Sequence, residues 1–364
     1  MKRVFSVILV AVFCVALFAG CSKKEETVVS ETEDEVSVVE ETEPVDTHEG
    51  EAKSYLTGEW IDEDTASLRP FAVMFGNTNE SGVLPQAGIG SADVIYECTV
   101  EGGLTRLMGI FQDYESVEKY ESIRSCRLYF LEFASEFEAI YGHWGQSPYA
   151  KSALSAYDDL DGQSSAIFGT TYFRDSSKSA PHNGYATGEG VAAGIETLGY
   201  DKNYSDDYEG HYQFAEDDET IELSDGEKAK VVKPGYVINK PWFVYNKKDG
   251  VYYRYQYSAA QTDATTGDQV AVKNIILQYM TTGMMDSKTL NIPTDGSGKG
   301  KYITNGRAID ITWEKDTTSS VMHYYDTDGN EITLNQGKTW VCVVDSAKTD
   351  AVGIYSSKED AGVE

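Results

Sequence analysis

The sequence predicts an α+β protein: a mixed α/β domain over residues 60–205, then a small all-β domain over residues 228–346. Three observations carry that prediction. Between Phe71 and Leu198, short apolar β-type runs interleave with stretches of helical periodicity. Beyond Lys228 only β-type runs remain, divided by turn signals. Between them, Asp201 to Asp225 is acidic and tyrosine-rich, and the boundary is placed there as a linker over 206–227.

The chain opens on a leader. Lys2 and Arg3 precede the apolar run Val4 to Phe18, broken only by Ser6, and Ala19-Gly20-Cys21 follow. A charged start, an apolar run too short for a comfortable membrane span and a small-residue cleavage site make a signal peptide. The cysteine at the cleavage point marks a lipobox, with Phe18 where leucine is usual, so residues 1–21 are read as a lipoprotein signal and Cys21 as the lipidated (palmitate-type) anchor. An ordinary secretory signal with an incidental cysteine is the alternative. Residues 22–57 hold twelve acidic residues against Lys23, Lys24 and Lys53, too little apolar surface to offset ordering, and are expected to be a disordered tether.

Phe71-Ala72-Val73-Met74-Phe75 reads as a buried strand and Asn79 to Gly90 as a loop. Asp93 to Val100 and Leu107 to Phe111 read as a hairpin closed by the two-residue turn Gly102-Gly103. That register sets Thr99 opposite Arg106 and Glu97 opposite Met108, and gathers Glu97, Glu101 and Arg106 on one face. Ser125 to Phe137 carries a helical stripe, and Ala139-Ile140-Tyr141 is a strand leading to His143. Ser147-Pro148 fits an N-cap with proline at the first helical position, opening a helix to about Tyr157. Thr187 to Leu198 is a further helix, ended at Gly199. Strands are expected at Lys228–Val232, Trp242–Tyr245, Val251–Tyr257, Val270–Met280, Tyr302–Thr312 and Thr339–Asp345, with a turn at Thr327-Asp328-Gly329-Asn330. They suit a small twisted barrel or sandwich, followed by a tail over 347–364.

An ordered set of motifs runs through this pattern: Arg69-Pro70, Pro85-Gln86-Ala87-Gly88, Ala92-Asp93, Tyr96-Glu97, Val100-Glu101-Gly102-Gly103, Thr105-Arg106 and Ile110-Phe111. Ile123-Arg124-Ser125, Arg127 with Tyr129, Ser147-Pro148, Pro181-His182-Asn183 and Trp313-Glu314-Lys315 continue it. The chain resembles the YerB-like lipoproteins in these residues, over nearly all of its length beyond the acidic leader. The resemblance implies a two-domain bacterial lipoprotein and no particular reaction.

Four groups of residues are candidates for chemistry. The first is an acid–arginine cluster of Asp93, Glu97, Glu101, Arg106, Arg124 and Arg127, with Glu136 and Glu138 following. Its carboxylates suit general acid and base work on a glycosidic bond, its arginine forks suit a carboxylate or phosphate, and a structural ion-pair network is the plain alternative. The second is His143 with Trp144 and Ser147, where a strand runs into a helix N-terminus; Ser147 reads as a cap rather than a nucleophile. The third is Arg174 with the turn Pro181-His182-Asn183-Gly184, whose histidine serves either a site or the turn itself. The fourth is aromatic density: among twenty-five tyrosines and five tryptophans, Trp144, Trp242, Tyr252, Tyr253, Tyr255 and Tyr257 offer stacking planes for sugars or ordinary sheet packing.

Cys98, Cys126 and Cys342 are an odd number without metal spacing. Cys126 between two arginines has the look of an activated thiol, yet the resemblance implies alanine is common at 98 and 126, so packing is the better reading. The formal charge of −30 argues against nucleic acid and against direct binding to anionic lipid, leaving the membrane to the lipid anchor. No cofactor and no metal are expected. The expected function is an extracytoplasmic, membrane-anchored module that binds, and as an enzyme would cleave, a cell-wall polymer. Glu97, Glu101 and His143 would be its acid/base groups. Arg106, Arg124, Arg127, Ser147, Arg174, His182 and Asn183 would be its binding residues. The rival is a non-catalytic lipoprotein scaffolding another envelope protein; a solute-binding protein fits less well, because the two domains differ.

Overall fold

Thr339–Asp345 lies parallel to Val94–Thr99, Thr339 opposite Val94 and Val343 opposite Cys98, and this pairing organises the molecule. Both strands are apolar on both sides. Val94, Tyr96, Cys98, Val341 and Val343 feed one core, and Ile95, Trp340 and Cys342 the other. A strand apolar on both faces is stable only inside a covered sheet, so each half of the chain supplies the neighbour the other lacks. In the computed structural model, which describes residues 47–363, the outcome is one sheet of eleven strands. Its order from one edge is Glu227–Lys228, Arg307–Lys315, Gly296–Thr304, Asn274–Met280, Thr339–Asp345, Val94–Thr99, Thr105–Phe111, Phe71–Asn77, Ile140–His143 and Asp159–Asp161. His323–Tyr325 pairs beside Arg307–Lys315.

One face of this sheet is covered by the helix Leu128–Ser135, through Phe130, Leu131, Phe133 and Ala134. The other face takes the helix Gly188–Leu198, through Val191 and Ile195, and a second sheet of six strands. That sheet runs Ala259–Ala260, Val251–Gln256, Trp242–Asn246, Val231–Lys233 and Gly353–Tyr355, with Ala271–Val272 beside Val251–Gln256. Val232, Phe243 and Tyr252 are its inward residues. The protein is α+β, with few helices and a C-terminal part built mostly of strands. That part is not the separate barrel or sandwich expected: half of it extends the N-terminal sheet, and the rest packs on that sheet's face.

Local signals decide the helix ends. Thr187 caps the 188–198 helix by accepting from the Gly190 N–H, and Gly199 ends it at φ +71. Ser147 caps Pro148–Ala153 with proline in the first turn. Two strand expectations are corrected. The run read as one strand, Tyr302–Thr312, is a hairpin turning at Asn305-Gly306, both left-handed at φ +47 and +76. The 94–111 hairpin pairs Thr99 with Thr105, Cys98 with Arg106 and Glu97 with Leu107. Its turn is longer than two residues: the Val100 N–H donates to the Leu104 carbonyl, and Glu101-Gly102-Gly103 form the loop.

The tether expected over 22–57 ends earlier than 57. Glu51–Lys53 pairs with Trp60–Asp62, and Leu56 is fully buried between them. Lys53 and Trp60 both reach Asp217, so this hairpin is clamped to the body of the protein. Cys21, the rest of the leader and residues 22–46 lie outside the described residues.

Candidate functional site

Strands 71–77, 94–99, 140–143 and 339–345 all point the same way, so their carboxyl ends share one end of the sheet. The segment Ser122 to Arg127 crosses that end. The Gly76 N–H donates to the Ser122 carbonyl, the Arg124 N–H to Met74, the Trp144 N–H to Arg124 and the Ser147 N–H to Cys126. Loop ends at the carboxyl side of parallel strands are where sheet proteins of this kind place ligands. Here they carry Arg106, Arg124 and Arg127 together.

Arg106 enters from the start of its strand, opposite Gly76 and Cys98. It is largely buried and donates through Nη1 to the Ser125 carbonyl at 2.7 Å. Among the described residues it has no carboxylate within 4.0 Å. Burial and the adjoining Arg127 charge push its guanidinium down to about 10. Arg127 forks onto Glu101, with Nη2 to Oε2 at 2.8 Å and Nε to Oε1 at 3.1 Å. Glu101 also accepts from the Leu290 N–H at 3.3 Å. Burial works to raise the Glu101 carboxyl, but Arg127 outweighs it and holds it below its ordinary value. Arg124 donates to the Pro181 carbonyl at 2.9 Å and to His182 Nδ1, while His182 Nε2 faces Glu80 Oε2 at 3.1 Å. Burial, then the Arg124 charge, push His182 downward, so it is a neutral link between an arginine and a carboxylate. Ser147 lies beside the row as a cap, its Oγ accepting from Ala150.

Other candidates are elsewhere. Glu97 is on the opposite face of the sheet from Arg106, because the one-residue register change reverses which residues share a face. It is fully buried, paired with Arg254 at 2.6 Å, and accepts from Asn239 at 2.8 Å and Thr105 at 2.9 Å. Arg254 is itself fully buried, 4.2 Å from the Trp340 ring. A carboxylate shut from solvent with its lone pairs taken has no part in acid or base work, so the catalytic expectation for Glu97 is replaced by a structural one. His143 is also shut in. Nδ1 faces the Gly145 carbonyl at 2.9 Å and Nε2 faces Asp159 at 3.0 Å, leaving no nitrogen for a substrate. Arg174 lies 4.3 Å over Trp144 and donates to Asn183 at 2.7 Å, a brace for the turn beside His182.

Asp93 is at the other end of the sheet, accepting from the Gln112 N–H. Glu136 is buried between Lys315 at 2.5 Å and His211 at 2.6 Å, and Glu138 holds Ser205. Burial pushes the Cys126 thiol up to about 12, the reverse of an activated nucleophile. No group of three or more metal-type ligands assembles among the described residues. The sequence gives no sign of the roles of Arg254, Asn239 and His211, nor of Lys315 as the partner of Glu136. Nothing in local spacing signals a partner 157 residues away, as Arg254 is from Glu97.

The site therefore offers cationic forks and no nucleophile–base pair. At the opposite end, where the chain enters, Gln112 holds the Thr65 and Leu68 carbonyls, and the Gly337 N–H donates to Thr57.

Two family models match the chain: "Protein of unknown function (DUF3048) N-terminal domain" over residues 56–201 and its "C-terminal domain" over 232–341. The chain is 28% identical over 299 residues to "Putative lipoprotein YerB" of Bacillus subtilis, covering 80% of this chain and 86% of that protein. It also matches the crystal structure of the YerB protein from Bacillus subtilis, with a TM-score of 0.72 and 27% identity, over 84% of this chain and 99% of the other.

Proposed function

Because this chain belongs to the DUF3048 family, that of YerB, we propose that it is a lipid-anchored extracytoplasmic protein that binds an anionic group of a cell-envelope polymer. The lipid would be carried by Cys21, in keeping with the leader and with the relative's printed name, a lipoprotein. No helix among the described residues is long and apolar enough to cross a membrane. One observation carries the binding role: Arg106, a largely buried cation beside Arg124 and Arg127, donates to a carbonyl and has no carboxylate within 4.0 Å among the described residues. Like charges crowded in a half-dry site store free energy that an arriving carboxylate or phosphate releases. The reading is of binding without cleavage, since of the expected acid/base residues Glu97 and His143 are enclosed and Glu101 is held in the fork of Arg127.

The test is sedimentation of the full chain with isolated cell walls at rising salt, beside melting curves. Arg106→Ala should lower wall binding at least about tenfold while the melting temperature holds or rises, and Arg106→Lys should fail to restore it, because an ammonium lacks the planar fork. Loss of binding in proportion to unfolding would assign the row to structure instead.

A second reading, docking of another envelope protein, draws on exposed apolar residues around the same end: Val237, Ile238, Met284 and Met285. Val237→Asp with Ile238→Asp would separate the two, since wall sedimentation through the arginines should survive that change.

A further inference from the structure

A cavity of about 730 Å³ opens beside the outer face of the six-stranded sheet. Trp242 and Tyr255 form its floor. They are register partners on adjacent strands, and their rings stack at 5.0 Å with planes 7° apart. Both are half-buried, so the pair is held by its sheet yet open on one side. Lys233, Lys240 and Ser258 stand around them, and Val363 closes the far wall. Lys233 donates to the Ala361 carbonyl at 2.5 Å and lies 5.3 Å from the Tyr355 ring, contacts that restrain its ammonium. Lys240 is exposed, with no carboxylate within 4.0 Å among the described residues.

The backbone around this cavity is unusual. Lys240, Tyr257 and Ser258 are left-handed without being glycine, at φ +44, +50 and +61. Such conformations persist where surrounding structure holds them, and they gather at ligand clamps. Two of these three line the cavity itself. The protein carries a formal charge of −30, so two lysines among the residues that line one cavity create a local reversal of the molecule's field.

We infer that this cavity binds a sugar ring carrying a carboxylate, the pyranose lying against the open face of the Trp242–Tyr255 stack and the acid held by Lys240 and Lys233. The outer face of a stacked aromatic pair accepts the apolar face of a pyranose ring, and neither ring carries a charge that would demand a cationic ligand. The rim lysines select the acidic sugar over its neutral relative. This site is additional to the arginine row, which is built on the other domain's loops. The two are neighbours, since a side chain at Gly103 would lie 3.6 Å from Val237, and Val237 lines the cavity.

The experiment uses the full chain in detergent with N-acetylmuramic acid and N-acetylglucosamine, which differ by a lactyl carboxylate. Binding is read by saturation-transfer NMR and by tryptophan fluorescence. N-acetylmuramic acid should bind about tenfold more tightly. Lys240→Ala should erase that preference, and Trp242→Leu should weaken both sugars about tenfold or more. The fluorescence response lost in Trp242→Leu reports this cavity, whereas wall sedimentation lost in Arg106→Ala reports the arginine row, so failure of the one and failure of the other give different patterns. Tyr255→Leu serves the same purpose if Trp242→Leu does not fold. The inference is overturned if the wild type binds neither sugar, if it binds both equally, or if the folded platform variants bind as the wild type does.

Discussion

Asp93 shows how a single buried residue contributes to the protein's response to pH. Burial raises its carboxyl to about 6, against the hydrogen bond from the Gln112 N–H and the nearby Lys338 charge. A carboxyl raised in the folded state binds its proton more tightly there than in the unfolded chain. Its contribution to stability is therefore complete below its ordinary value of 3.8 and is lost as pH rises toward 6. A shift of two units corresponds to about 3 kcal/mol. Asp93→Asn should remove this loss, raising the melting temperature at pH 7.5 and flattening its fall between pH 4 and pH 6. Identical pH slopes for the two proteins would show that Asp93 is not the group responsible. Cys126 is a contrasting residue: buried, with its thiol pushed up to about 12, it should tolerate alanine with native wall binding.

At the scale of elements, helices were the more legible parts of the sequence. Ser147 with Pro148, Thr187 and Gly199 are capping residues whose action is local, so the chain states them directly. The hairpin was less legible, because two glycines in a row suit more than one loop length. Gly102 and Gly103 are both left-handed at φ +76, as the turn reading required, but Glu101 is drawn into the loop as well. That single residue moves Arg106 to the face opposite Glu97 and divides one expected cluster into a cationic site and a buried ion pair. The Asn305-Gly306 turn carried a strong signal that reading Tyr302 to Thr312 as a single strand passed over. Gly306→Val should be costly there. The residue is at φ +76, and an added Cβ would lie 2.8 Å from the Tyr245 ring. The left-handed penalty alone is about 1–2 kcal/mol, so a melting point lowered by several degrees is expected, and an unchanged one would contradict the turn geometry.

For the whole molecule, the two family segments form one folding unit because they share a sheet and a buried charge pair. Removing one partner of Glu97–Arg254 leaves the other uncompensated, at about 3–5 kcal/mol. Arg254→Met should therefore be severely destabilising by chemical denaturation, and Glu97→Gln added to it should recover part of the loss. Two single variants whose effects simply sum would argue against direct coupling. Residues 48–205 expressed alone should aggregate, since Val94–Thr99 would become an edge with both faces apolar. The sequence hid this union because parallel pairing of residues 94 and 339 leaves no local trace. The placement of the chain's entry and the arginine row at opposite ends of the strands has a mechanical meaning. If the proposed lipid anchor and the proposed grip of Arg106 on wall polymer both hold, load enters the described body near His48 and leaves at Arg106, along the strands. Inter-strand hydrogen bonds run across that direction and are strained in parallel, all together, instead of peeling one by one. The eleven-stranded sheet would then act as a strut under tension between two layers of the envelope, strongest in the direction in which it is pulled.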